Sequence, residues 1–216
     1  MDGSGEKTSV SKSITYGDSE SAAVFRMVWY VIASKPGVLL EDYNEAESQI
    51  FKGDAQFSAK IDDVGVSVGF SVDADKGSVD LKAHGDDQTK LEGYLDSIAG
   101  DLEGAIKKYH GLPDEDRSKL KRALVAKTCW DRLVREILNK SPLSDVYIQL
   151  AHGREMMIKA TEGEDVIALP LTTAGWLSQI ESLPRSEALP ANIATELAKK
   201  TIDWKRETHD VISRYL

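Results

Sequence analysis

Asp73, Asp75 and Gly77 form the stretch whose residue types come nearest to a cation loop. Calcium takes six to eight oxygen ligands, usually closing on a late bidentate carboxylate. Here the run is short and lacks a glutamate at the required offset, so it reads as a hairpin turn. The four histidines, His84, His110, His152 and His209, stand far apart, and Cys129 has no cysteine companion. No zinc spacing results. Beside Trp130 on an expected helix, Cys129 reads as a packed thiol. There is no glycine-rich phosphate loop and no G-x-S-x-G elbow. The paired carboxylates Asp62-Asp63 and Asp86-Asp87 fall in a turn and at a helix start, where acids serve the backbone. The expectation is therefore no metal, no cofactor and no catalytic residue. An enzyme would need a site assembled from distant residues.

A different chemistry is available on the long helix expected over 114–140. Arg117, Lys121, Arg132 and Arg135 lie near one another, away from its main apolar arc, and such a stripe can contact phosphates. This is the alternative reading, a nucleic-acid-associated regulator.

The spacing of small residues is more informative. In the strand expected over 64–72, Val64, Val66, Val68, Phe70 and Val72 take one face, and Gly65, Ser67, Gly69 and Ser71 the other. The helix expected over 86–109 carries Gly93, Ser97, Gly100 and Gly104 on one stripe, opposite Leu91, Leu95, Ile98 and Leu102. Each helical glycine costs about 1 kcal/mol relative to alanine, and surfaces without bulk admit close neighbours. Both surfaces are expected to make tight contacts, either inside the chain or with a partner.

Stepping outward, 10–16 alternates weakly as an edge strand, after a polar start expected to be mobile. A helix is expected over 21–33 and another over 39–51. Strands at 56–61, 64–72 and 78–83 form a meander, and the helix over 86–109 closes the unit. Gly111-Leu-Pro113 marks the expected boundary. Beyond it come the long helix, strands at 146–151, 155–161 and 166–172, with a turn at His152-Gly153-Arg154, and helices over 174–183 and 191–215. The expected fold is α+β, in two units that each run helix, three-stranded antiparallel meander, helix. They cover 18–111 and 112–216, behind an N-terminal segment 1–17.

The 216 residues, 41% hydrophobic and 29% charged, suffice for a packed core. No apolar run reaches the length needed to span a bilayer, and the N-terminus lacks the pattern of a signal peptide. The net charge of −9 lies wholly within 1–111, which disfavours nucleic acid and anionic membranes as partners of that half. The expectation is a cytoplasmic, acidic, non-enzymatic protein-binding module (adaptor, chaperone-like or inhibitory) that self-associates, with a homodimer as its simplest form.

Overall fold

A computed structural model describes residues 8–17, 20–34, 38–40, 59–61, 66–164 and 168–216. It is α+β and divides into two compact units, Met1–Lys108 and Tyr109–Leu216.

In the first unit the strands are β1 (Thr8–Thr15), β2 (Val38–Leu40), β3 (Ala59–Ile61), β4 (Val66–Asp73) and β5 (Ser78–Gly85). They form one antiparallel sheet in the order β1-β5-β4-β3-β2. The meander expected from sequence is β3-β4-β5, extended by β1 on one side and β2 on the other. Leu39 and Leu40 belong to β2, so the helix expected from 39 does not start there; the rest of it, Gly65 and the Asp62-Asp63 turn lie outside the described residues. Between β1 and β2 runs α1 (Ser21–Ala33), and α2 (Gln88–Gly111) follows β5.

Register divides the sheet into two unlike faces. Ile14, Val79 and Val72 form one row across β1, β5 and β4; Lys12, Leu81 and Phe70 form the next, and Val10, Ala83 and Val68 a third. Apart from Val10 and Lys12 these residues are buried. The apolar helix α1 packs against this face, with the Phe25 and Phe70 rings 5.1 Å apart. Leu91, Leu95, Ile98 and Leu102 of α2 are also fully buried, at the spacing that keeps one side of a helix inward.

The β4–β5 hairpin shows what the Asp73-Asp75-Gly77 run does. The Asp73 carboxylate accepts the backbone N–H groups of Asp75 and Lys76, and pairs with the Lys76 ammonium at 3.1 Å. Those contacts, the Lys76 N–H first, hold its carboxyl below the usual range. Gly77 takes φ +61°, where a side chain would be strained and its Cβ would meet the Gly17 carbonyl oxygen at 3.2 Å.

The second unit corrects the sequence reading. Its elements are α3 (Asp114–Leu138), α4 (Leu143–Ala160), α5 (Ala168–Glu181) and α6 (Ala191–Ser213). The strands expected at 146–151 and 155–161 are a single helix, and residues 168–172 of the third belong to α5. The physical reason is the burial pattern. Leu143, Val146, Leu150, Gly153, Met157 and Ala160 turn inward, at steps of three and four rather than two. Pro170 sits in the first turn of α5, where a missing N–H costs nothing. Among the described residues of this unit there is no second meander, so the described parts of the two units are not alike.

The core of this unit is built on tryptophan. The Trp130 and Trp204 rings meet at a tilt, 5.5 Å apart, between α3 and α6. Their indole N–H groups donate to Thr208 and Thr172, at 2.8 and 2.9 Å. The Thr208 hydroxyl in turn faces the Met157 sulfur on α4. Among the described residues, no helix is long and apolar enough to cross a membrane.

Candidate functional site

The glycine stripe of α2 looks outward. Gly93, Ser97, Gly100 and Gly104 are all exposed, and a Cβ built on any of the three glycines would meet nothing within 4 Å. The four span about 60° of the helix circumference at 100° per residue. They lie opposite the leucines that pack inward, and among the described residues nothing packs on the three glycines.

On β4, Ser67, Gly69 and Ser71 are half-buried. They lie on the face of the sheet away from Phe70 and the helix α1. Register carries this face across two more strands, small on β1 but polar and bulkier on β5. Ser67, His84 and Ser9 make one row, Gly69, Lys82 and Ser11 the next, and Ser71, Asp80 and Ser13 the third. Ser13 donates to Asp80 at 2.6 Å. The sequence reading stopped at β4, although Ser9, Ser11 and Ser13 carry the same alternation and were there to be found.

The four basic residues of α3 are all half-buried. Arg117 is committed to structure. It donates to the carbonyls of Leu112 and His110 at the end of α2, pairs with Asp114, and lies over the Tyr109 ring at 5.6 Å. Lys121 and Arg132 each have an interaction partner. The Arg135 Nη1 is buried without a hydrogen-bond partner among the described residues.

A polar cluster that sequence reasoning missed lies between α3 and α6. Asp131 is almost wholly buried between Lys127, at 3.4 Å, and Lys205. Burial pushes its carboxyl up, but the two ammonium groups outweigh that and hold it below the usual range. Lys127 and Asp131 are four apart on one helix, a visible signal; Lys205 arrives from a distant segment. Glu207 on the same α6 accepts the Leu169 N–H at 3.1 Å and so caps the start of α5. Its carboxyl is pushed up by burial, with Asp203 and Asp210 adding to the shift against the Leu169 bond.

One open depression of about 590 Å³ lies over the α4–α5 turn, lined by Ile158, Thr161, Pro170 and Leu171 with Lys159, Glu162 and Glu164. Lys159 pairs with Glu155, and Glu164 with Arg214. The Thr161 hydroxyl in the lining donates to the Met157 carbonyl. Cys129 is buried. Among the described residues, no group of three or more histidine, cysteine or acidic side chains is placed to hold a metal ion. Compared with protein-family models, characterised proteins and solved structures, the chain matches none.

Proposed function

We propose that the protein is a non-enzymatic protein-binding module, of adaptor, chaperone-like or inhibitory type, that self-associates through the small-residue stripe of α2. The observation that carries this reading is the open space above Gly93, Gly100 and Gly104. Three glycines inside one helix cost about 3 kcal/mol relative to alanine, and no packing among the described residues uses them. A second helix laid along the stripe does use them, because its backbone can come closer than any side chain would allow.

Self-association draws further support from the spacing. The stripe steps by four, three and four residues, which reads the same in both directions. Two copies crossing antiparallel would set Gly93 opposite Gly104 and Ser97 opposite Gly100. A two-fold contact requires a patch that complements itself in this way. The bare face of Ser67, Gly69 and Ser71 is the second surface of the same kind.

The test is amide hydrogen exchange along α2 as the protein is concentrated. Exchange on the stripe side should slow with concentration in the natural chain, and the double variant Gly100→Leu with Gly104→Leu should abolish the effect while remaining folded. Identical, concentration-independent exchange in both proteins rejects the reading. No observation favours the nucleic-acid alternative, since Arg117 is spent on the end of α2.

A further inference from the structure

We propose that the outer edge of β1 is a binding site for an extended basic segment of a partner protein, which adds as a further strand beside the acidic flank of α2. This surface is separate from the glycine stripe, and its test does not depend on self-association.

Among the described residues β1 is paired on one side only, to β5. At its end the Tyr16 N–H donates to the Gly77 carbonyl at 2.7 Å. In an antiparallel ladder the residues whose backbone faces a given neighbour alternate. Tyr16 therefore fixes Ile14, Lys12, Val10 and Thr8 as the residues bonded to β5. Ser9, Ser11, Ser13 and Thr15 then point their N–H and C=O groups away from the sheet. Among the described residues, none of these groups has a hydrogen-bond partner. An edge with unpaired donors and acceptors is a template for another strand. Small side chains at these four positions leave that approach clear.

Charge selects the occupant. Lys12 projects to the helix side of the sheet and bonds Asp96 of α2 at 2.6 Å. Glu103, two turns further along the same flank of α2, acts on the same ammonium. Asp96 thus meets this lysine while Glu103 lies along the same flank, and both carboxylates are exposed. A strand entering here presents every second side chain to that flank. Lysine or arginine at those positions supplies the missing positive charge. A second copy of β1 would instead bring its own Asp96 and Glu103 towards the first pair, acid against acid.

The probe is an acetylated peptide alternating threonine and lysine, set beside the same peptide with glutamate for lysine. Residue-resolved amide exchange on the full chain gives the readout. The lysine peptide is expected to slow exchange at Ser9, Ser11, Ser13 and Thr15 by roughly tenfold or more at saturation. Val10, Lys12 and Ile14, already bonded to β5, should change little. Ser11→Pro removes one outward N–H without touching the ladder to β5, and it should weaken the peptide at least about fivefold. Glu103→Gln should do the same through charge, and it carries the test if the proline variant does not fold. The proposal is overturned if those four amides gain no protection, or if the glutamate peptide protects them equally. It is also overturned if they are protected in the protein alone, rising with its own concentration, which would assign the edge to a second copy.

Discussion

Gly153 of α4 lies against the six-membered ring of Trp130 on α3: a Cβ on this glycine would fall 2.6 Å from two of the ring carbons. The contact ring is fully buried and held by Thr208, so it has no room to withdraw. Close approach through a glycine is therefore a real device in this chain, used inside the second unit at a position that the sequence reading assigned to a turn.

Gly153→Ala should accordingly destabilise the second unit by about 1–3 kcal/mol, the usual range for overpacking, despite alanine's better helix propensity. Urea unfolding followed by tryptophan fluorescence measures it. A neutral or stabilising result would mean that α3 and α4 separate more easily than this packing implies.

The stripe on α2 predicts the opposite sign. Single alanine substitutions at Gly93, Gly100 and Gly104 meet open space and should each stabilise the isolated chain by up to about 1 kcal/mol. Thermal unfolding at low protein concentration, where association is negligible, is the relevant measurement. Destabilisation at any of the three would reveal a contact within the chain.

Asp131 predicts a penalty for broken charge pairing. Asp131→Asn leaves Lys127 buried without its counter-ion and should cost about 3–5 kcal/mol, with much of the loss recovered in the double variant carrying Lys127→Met. The sign of the pH effect follows from the lowered carboxyl. Its contribution is fully present above the unfolded carboxylate value of about 4 and is lost as pH falls through the lower folded value. Denaturation midpoints measured across that acid range should drop more steeply for the natural chain than for Asp131→Asn.

Glu207 has the reverse linkage, because its carboxyl is raised in the folded protein. Its favourable contribution is present below the unfolded value and is lost as pH rises through the folded one. Glu207→Gln keeps an acceptor for the Leu169 N–H and removes the ionisation, so it should be at least as stable as the natural chain at neutral pH. Glu207→Ala loses the cap and should cost about 1 kcal/mol. Thermal melts at mildly acidic and neutral pH distinguish them.

The first unit was legible where period and turn chemistry agree. The alternation of Val68, Phe70 and Val72, the Asp73–Gly77 turn and the leucine spacing of α2 all carry their structure locally. The second unit was not, because Val146, Tyr147 and Ile148 have high strand propensity while their helical state is set by packing on α3. Gly153 misled for the same reason: its use is a tertiary contact with Trp130, which no local pattern announces. The α2 stripe could be read as a surface without bulk, but which side of the fold it faced depended on where the sheet lay. Lys205 of the buried triad was invisible, since its partner Asp131 lies far away along the chain.

Sedimentation equilibrium over a wide concentration range tests self-association through α2 most directly. The natural chain should approach twice its monomer mass of 23.7 kDa, while the variant carrying Gly100→Leu and Gly104→Leu stays at the monomer mass. A natural chain that remains monomeric throughout, or a variant that dimerises equally well, would contradict the account.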